Sequence, residues 1–466
     1  MFYVKENGWK SVNDSLKKEI FSFSEGYKKF LDSAKTERAV IEKSLIMAEE
    51  NGFVNAETKD SLKAGDKVYY NNRDKNLILA VIGTQDIING VNFVVSHVDS
   101  PRLDLKQNPL YEDTDFALMK THYYGGIKKY QWGARALALH GVVILKDGKK
   151  IKIAIGEKDD DPVFTIPDLL PHLDRKVQRD RKASEVLKGE ELNIIIGSTP
   201  TKLKDDKIKE HFKSAILEIL NKDYGFTEED FVSAELQLVP AGKAKDIGID
   251  RAIVGAYGHD DRICGYTSML GIFDLKETPK RSAICFLADK EEIGSTGSTG
   301  LASNYLEYFM SDILYKIMGD KYNEYFLKKL LWNSHSLSSD VNAGLNPLFK
   351  SVHDAQNASK LGYGLVLTKY TGSGGKGGSS DADAEYIAQL RNLFDNVGVK
   401  WQTGMLGKVD EGGGGTIAKF LAHFGIRTID AGAALLSMHS PLELASKFDI
   451  YEIYRAYKAF YDFEGK

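Results

Sequence analysis

The segment VNFVVSHVDSPRLDLK, residues 91–106, decides how the rest of the sequence is interpreted. Residues 91–95 are almost entirely apolar, which is typical of a buried strand. The strand ends by placing His97 and Asp99 two residues apart, and therefore on the same side. An imidazole and a carboxylate at the carboxyl end of a core strand need partners, which other segments of the chain have to supply.

The composition of the 466 residues is that of an ordinary globular protein, with 42% hydrophobic and 27% charged residues. A net charge of -4 predicts no general affinity for nucleic acid or anionic membranes. Cys264 and Cys285 are the only cysteines, so a disulfide framework is excluded and a reducing compartment is favoured. The sequence shows neither the apolar core of a signal peptide nor an apolar run of about 18 residues. We therefore predict a cytoplasmic protein.

Strand and helix signals alternate on both sides of a middle section with a different pattern. Strands are predicted at residues 67–70, 76–82, 91–96, 281–287, 330–335, 363–368 and 426–429. Two helices are predicted within residues 13–51, and others at 299–317, 381–393, 416–423 and 441–461. This alternation predicts an α/β domain with a mostly parallel sheet, formed by residues 1–100 and 246–466. Short alternating runs, with a hairpin turn at Asp147–Gly148, predict a β-rich insertion at residues 101–245.

Polar side chains follow several of the predicted strands, where ligands gather in open α/β sheets. The residues at these positions, or just before a helix, are His97, Asp99, Asp260, Asp261, Asp289, Glu291, Glu292, Asp340 and His439. So many carboxylates would repel one another unless divalent cations lay among them. Imidazole and carboxylate ligands suit Zn²⁺, with Mn²⁺ or Co²⁺ as possible substitutes. Two ions would need a bridging carboxylate, and one further carboxylate could act as a general base.

Each motif alone also has an ordinary structural explanation. A single histidine is more often a hydrogen-bonded polar residue than a ligand, and a Glu-Glu pair is usually solvated surface. Asp-Asp before a helix is typical of an N-cap and first turn. Residues 372–377 fit the G-x-G-x-x-G fingerprint, but residues 399–404 supply no acidic residue to confirm it, which argues against a nicotinamide cofactor. The shared placement of the motifs favours the metal site.

In chain order, the motifs HVDSP, GHDDR, DKEEIGS, SSDVNAG and MHSPLE resemble the aspartyl aminopeptidase family of two-zinc exopeptidases. This family is related to the glutamyl aminopeptidase and endoglucanase-like enzymes. The resemblance extends from about residue 90 to the carboxyl terminus, and the ordered set of motifs is specific although no single one is. It implies a zinc-peptidase catalytic domain, with the β-rich insertion as a dimerisation domain.

The resemblance also implies a role for each matching residue. Two zinc ions per chain would be held by His97, Asp260, Glu292, Asp340 and His439. Asp260 would bridge the ions, with His97 and Asp340 completing one site and the remaining two ligands the other. Glu291 would be the general base, and Asp99 would orient the His97 ring. The implied reaction is hydrolysis of the first peptide bond of a peptide with a free amino terminus.

Members of this family usually prefer acidic N-terminal residues, which requires a cation in the pocket for the first residue. Lys369 and Lys376, in LTKYTGSGGKGGSS, are candidates for that cation. The glycine-rich loop is closer to the glutamyl aminopeptidase-like branch, so a neutral or broad specificity is the alternative. His172 resembles a family histidine that reaches the active site of a neighbouring subunit. Family members form dimers that assemble into a dodecamer.

Two other functions are compatible with the same set of ligands. A related di-zinc deacylase would need an arginine for a substrate carboxylate, with Arg102 or Arg262 as candidates, and it would accept a blocked amino terminus. A non-catalytic assembly protein could retain the fold, but the complete set of ligands and base argues against it.

Overall fold

The computed structural model describes residues 1–2, 4–202 and 209–465, and the chain divides into two compact units. Unit 1 comprises Met1–Ser100, Ala244–Met438 and Leu442–Lys466, and unit 2 comprises Pro101–Lys243 and His439–Pro441. The described helices are α1 (Asp14–Ser33), α2 (Glu37–Glu50), α3 (His211–Tyr224, in unit 2), α4 (His259–Phe273), α5 (Tyr305–Met318), α6 (Glu324–Trp332), α7 (Ala384–Asn396), α8 (Ala418–His423) and α9 (Lys447–Tyr461). None of these helices is both long and apolar enough to cross a lipid bilayer.

Unit 1 is built around a nine-stranded sheet. In spatial order its strands are β1 (Val54–Asn55), β2 (Lys67–Asn72), β3 (Asn76–Val81), β13 (Ala283–Ala288), β4 (Asn92–His97), β14 (His335–Ser338), β18 (Arg427–Gly432), β16 (Leu365–Thr368) and β17 (Trp401–Thr403). Five of the eight strand pairings are parallel, including the three between β13, β4, β14 and β18 at the centre. The other three are antiparallel. The predicted α/β class is confirmed, with a sheet that is parallel at its centre and mixed towards its edges.

Strand β4 is buried on both faces, which explains its apolar sequence. Phe93 and Val95 belong to one hydrophobic core cluster, whereas Val94 between them belongs to the other. In the parallel register with β13, Ala288 lies opposite His97. The carboxyl ends of these two buried strands therefore meet at one edge of the sheet, and polar residues follow both.

Unit 1 also contains a five-stranded sheet that the sequence patterns do not predict. In spatial order its strands are β11 (Lys245–Ile247), β12 (Ile253–Ala256), β20 (Glu443–Ser446), β19 (Ala434–Leu436) and β15 (Asn342–Ala343). Each has two to four residues, which is too short for a periodic pattern to be recognised.

Unit 2 contains a six-stranded sheet. In spatial order its strands are β8 (Lys150–Ile155), β7 (Leu137–Ile144), β10 (Ala234–Pro240), β5 (Arg102–Asp113), β6 (Phe116–Tyr124) and β9 (Ile194–Gly197). The hairpin predicted at Asp147–Gly148 is confirmed, because β7 and β8 pair in antiparallel fashion on either side of it. Gly148 has a φ of 85°, a conformation that glycine adopts without steric cost.

The strand predicted at 330–335 is wrong, and the helices predicted at 299–317 and 441–461 are present but begin later, at Tyr305 and Lys447. Residues 330–332 end helix α6, and the strand predicted at 330–335 begins only at His335. Leu327, Leu330 and Leu331 are buried on one face of α6, so this short apolar run follows the helical period. The helix predicted at 441–461 begins at Lys447, because the residues before it form β20.

His335, the first residue of β14, is buried against the rings of Tyr386 and Phe463. Burial, with Arg281 and Arg427 nearby, lowers the pKa of His335 to about 3. The histidine of the unfolded chain has a pKa of about 6.5, so the unfolded state takes up a proton first as the pH falls. The stability contributed by the neutral ring is therefore complete above a pH of about 6.5 and is lost as the pH falls from there towards 3.

We expect His335→Phe to lose less thermal stability than the parent protein between a pH of about 7 and a pH of about 5. The measurement is the melting temperature by circular dichroism at each pH. His423 is exposed, so the melting temperature of His423→Gln should change with pH as that of the parent does. An equal fall in melting temperature for the parent and His335→Phe would show that the buried His335 ring does not cause the pH dependence.

Candidate metal centre

Side chains that follow β4, β13 and β14 converge beyond the carboxyl end of β4 with side chains from the start of α4. Among the described residues are three groups of potential metal ligands, with the ligand atoms of each group within 4.8 Å of one another. The groups are His97, Asp260 and Glu292; His97, Glu291 and Asp340; and Asp260, Asp261 and Asp340. His97, Asp260 and Asp340 each belong to two groups. The three groups therefore form one continuous cluster.

His97 is the last residue of β4 and is 1% exposed. Its Nε2 lies 3.0 Å from Asp260 Oδ1 and 3.8 Å from Asp340 Oδ1. On the other side of the ring, Nδ1 is 3.0 Å from the main-chain carbonyl oxygen of Asp99. An N–H at Nδ1 that donates to this carbonyl leaves the lone pair at Nε2, which is the arrangement a metal ligand needs.

The Asp99 carboxylate, which is fully buried, connects two parts of the cluster. Its Oδ1 is 3.4 Å from His97 Nδ1 and accepts a hydrogen bond of 3.1 Å from the main-chain N–H of Glu291. Its Oδ2 accepts one of 3.2 Å from the main-chain N–H of Glu292. Asp99 therefore contacts the His97 ring and also holds the start of the short 3-10 helix Glu291–Ile293.

Asp260 is 3% exposed and has both of its peptide groups fixed. Its N–H donates to Glu443 Oε2 at 3.1 Å, and its carbonyl accepts from Ser100 Oγ at 2.6 Å. Gly258, just before it, has a φ of 78°, and a Cβ there would lie 1.6 Å from Arg262 Nη1. Glycine is therefore required where the chain enters α4.

Burial and mutual repulsion set the protonation of the cluster. Burial, reinforced by Asp340 and other carboxyl groups against the opposing effect of His97, raises the pKa of Glu291 to about 8. Burial likewise raises the pKa of Asp340, although the nearby His97 ring opposes this. Burial lowers the pKa of His97, but the carboxyl groups of Asp260, Asp340 and Asp99 beside its ring raise it well above its ordinary value. Buried acids that retain protons in this way fit a site for positive charge, which divalent cations would supply.

The donor atoms suit zinc, which is bound in proteins by imidazole nitrogen and carboxylate oxygen. Glu291 adds a partly buried carboxyl group beside His97 and Asp340, where a group that takes up and returns a proton has to lie. The arrangement can therefore hold metal and can also transfer a proton beside it.

His439, the fifth predicted ligand, belongs to unit 2 and to none of the three groups found among the described residues. Its Nδ1 is 2.8 Å from the main-chain carbonyl oxygen of Gly126, in the same unit. As in His97, an N–H that donates to a carbonyl leaves Nε2 as the ligand atom. Its part in a metal site stays a prediction.

The two candidate lysines have different surroundings. Lys376 Nζ lies 3.9 Å from the centre of the Tyr370 ring and 3.1 Å from Asp381 Oδ2. Lys369 is exposed just after β16, and the described residues include no ion-pair partner for it. Lys369 is thus the more available of the two cations.

His172, the third residue predicted to bind substrate, is exposed in unit 2.

Sequence reasoning missed several residues that support the cluster. Ser100 and Glu443, which fix the peptide groups of Asp260, lie inside the HVDSP and MHSPLE motifs, so the motifs themselves were the available signal. Thr299 and Asn76, which hold the loop after β13, lie outside every quoted motif.

Comparisons with known proteins point in the same direction. A family model described as aminopeptidase I zinc metalloprotease (M18) matches residues 30–461. A probable M18 family aminopeptidase 1 of Borreliella afzelii is 56% identical over 457 residues, which cover 98% of this chain and 99% of that protein. The crystal structure of an M18 family aminopeptidase from Thermotoga maritima has a TM-score of 0.94 at 46% identity, covering 99% of this chain and 100% of that one. The mApe1 dodecamer of S. cerevisiae shares the fold, with a TM-score of 0.75 at 22% identity, covering 94% of this chain and 98% of that one. This chain therefore belongs to the M18 family of zinc aminopeptidases, which are hydrolases that act on peptide bonds.

Proposed function

We propose that this chain removes the N-terminal residue of peptides with the help of two zinc ions. The proposed ligands are His97, Asp260, Glu292, Asp340 and His439, with Asp260 bridging the ions. The observation that carries the proposal is the sharing of three residues between overlapping ligand groups, since a cluster with shared members suits a pair of ions. When bound, the zinc ions would polarise the substrate carbonyl and make water more acidic.

Glu291 is proposed as the general base. Its carboxyl group belongs to the ligand group of His97 and Asp340, and its main chain is held by Asp99. A carboxylate in this position can accept a proton from the attacking water and return it to the leaving amine. Glu292 is held by the same carboxylate, so the base and the neighbouring ligand keep a fixed relative position.

We propose a preference for acidic N-terminal residues, with Lys369 as the cation that recognises them. Lys376 is the weaker candidate because Asp381 and the Tyr370 ring already contact its ammonium group. A neutral or broad specificity is the alternative.

The test is hydrolysis of a peptide panel that differs only in the N-terminal residue, taken as Asp, Glu, Leu, Ala or Lys. We expect rapid cleavage of the two acidic peptides, and no cleavage of N-acetylated peptides or after removal of zinc by a chelator. Cleavage of the acetylated peptides would identify a deacylase instead. Equal rates for all five peptides would refute the acidic preference and leave the metal centre in place.

Lys369→Met belongs in the same assay. Hydrogen bonds to charged groups contribute about 1.5–3 kcal/mol, so kcat/KM for the Glu peptide should fall by about 10–100-fold, with little change for the Leu peptide. Lys376→Met is the matched comparison, and a larger selective loss there would move the assignment to Lys376.

We propose that the chain forms homo-oligomers, with unit 2 as the dimerisation domain and a dodecamer as the assembly. The proposal is supported by the dodecameric relative of the same fold and by the apolar side chains exposed in residues 163–177. Leu169, Leu170 and Leu173 in this segment are 41%, 50% and 63% exposed. His172 lies among them, and we propose that it reaches the active site of a neighbouring subunit.

Two further expectations stay predictions. Mn²⁺ or Co²⁺ could replace zinc, because imidazole and carboxylate ligands also suit those ions. A cytoplasmic location agrees with Cys264 and Cys285, which are both free buried thiols.

A further inference from the structure

The loop between β13 and α5, which carries Glu291 and Glu292, has buried ends and an exposed tip. Asp289, Ser295, Thr299 and Gly300 are buried, whereas residues 293–294 and 296–298 are exposed. Asp289 and Thr299, on either side of the two glutamates, are therefore buried points at which this segment can be anchored.

The first anchor is a hydrogen bond across the base of the loop. Thr299 Oγ1 donates to Asp289 Oδ2 at 2.6 Å, and Lys290 Nζ lies 3.2 Å from the same oxygen. A hydroxyl that donates to a carboxylate at this distance makes a strong, charge-assisted hydrogen bond. Both Asp289 and Thr299 are almost completely buried, at 1% and 4% exposure. This hydrogen bond joins the two ends of an eleven-residue segment, residues 289–299.

The second anchor ties the loop to the sheet. Asn76, the first residue of β3, donates from Nδ2 to the main-chain carbonyl of Thr299 at 2.7 Å. At Gly300, a Cβ would lie 1.9 Å from the carbonyl oxygen of Ser295, so the two ends of the turn approach each other as only glycine permits. The returning end of the loop is thereby held against the strand that pairs with β13.

We propose that Thr299 and Asp289 are positioning residues for peptide hydrolysis, because their hydrogen bond closes the loop and fixes the main chain from which Glu291 and Glu292 project. The inference rests on the proposed roles of those two glutamates. Neither positioning residue needs to touch substrate or metal. A catalytic group that moves by about 1 Å can lose about 100-fold in rate, so a contact at the base of the loop is sufficient to affect turnover.

Thr299→Val tests the inference, because valine has nearly the shape of threonine without the hydroxyl. We expect kcat to fall by about 10–100-fold while KM stays within about twofold of the parent. Thr299→Ser restores the hydroxyl and should restore kcat. A contribution to folding alone would lower the melting temperature without this selective loss of kcat and its rescue.

A second readout is independent of turnover. Titration of the metal-free protein with Zn²⁺ against a chromophoric chelator should show affinity weakened by about 10–100-fold in Thr299→Val, as expected for residues that orient a ligand. Thr296→Val is the matched control, since Thr296 lies at the exposed tip of the same loop and its hydroxyl contacts only the nearby Gly294 carbonyl. Thr296→Val should behave as the parent in both assays.

The inference is overturned if folded Thr299→Val keeps the kcat and zinc affinity of the parent, or if Thr299→Ser fails to rescue it. If Thr299→Val does not fold, Asp289→Ala removes the acceptor of the same hydrogen bond, and the same loss or retention of kcat and zinc affinity decides. If the parent binds zinc but cleaves none of the peptides, the proposed function fails, and the zinc titration alone decides the inference.

Discussion

Replacing Glu291 with Gln is expected to leave zinc binding intact and to lower kcat by about 10²–10⁴-fold, the range associated with a general base. Glutamine keeps the size of the side chain but cannot take up the proton. The main-chain N–H that binds Asp99 is unchanged, so the loop should keep its position. The measurement combines the zinc content of the purified protein with steady-state hydrolysis of a Glu peptide.

Glu292→Gln is the matched comparison, because the two glutamates are adjacent and bind the same Asp99 carboxylate through their main chains. As a proposed ligand, Glu292 should lose zinc together with activity when it is replaced. Turnover of Glu291→Gln close to that of the parent would exclude Glu291 as the base, and loss of zinc from this variant would make it a ligand instead.

Asp260→Asn is expected to remove both zinc ions and to lower activity at least about 1000-fold, equivalent to roughly 4 kcal/mol of transition-state stabilisation. Asp260 belongs to two of the three ligand groups, and an amide has neither the charge nor the second oxygen of a bridging carboxylate. The hydrogen bonds from Ser100 and to Glu443 involve main-chain atoms of residue 260, so the substitution leaves them in place. Zinc content and melting temperature are measured on the same samples.

Asp430→Asn is the control for Asp260→Asn, because the two aspartates are buried to the same extent. Asp430 lies in β18, next to β14, and burial raises the pKa of its carboxyl group to about 7. It belongs to none of the three ligand groups found among the described residues. We expect this variant to keep its zinc. Two zinc ions per chain in Asp260→Asn would refute the bridging role.

Much of the cluster could be predicted because the order and direction of the strands determine where its residues lie. Polar residues after the parallel strands β4, β13 and β14 meet at one sheet edge, which brings His97, Glu291, Glu292 and Asp340 together. Asp260 joins them from the start of α4, after β12 of the five-stranded sheet. What could not be predicted depends on register. The Asp99 carboxylate reaches the main chain at residues 291 and 292 because Ala288 lies opposite His97, and no local pattern determines that alignment.

The fold itself was less predictable where elements are short. Leu330 and Leu331 alone suit a helix and a strand equally, and they show the helical period of α6 only together with Leu327. The role of His439 is a similar case, because residues His439–Pro441 belong to unit 2 although unit 1 surrounds them in sequence. Thr299 and Asn76 are 223 residues apart, so their contact carries no signal in either segment alone.

The order of strands in the large sheet has a consequence for synthesis on the ribosome. Strand β4, which carries His97, finds its sheet neighbours only in β13 and β14, and Phe93 pairs with Ile284. At 5–20 residues per second, the roughly 190 residues between them take roughly 10–40 s to translate. During that time the nascent chain has an apolar strand without a sheet to join, and a histidine without the carboxylates that would share its metal. The proposed zinc site could therefore form only late in synthesis, and the apolar strand β4 is exposed to aggregation until its partners are made.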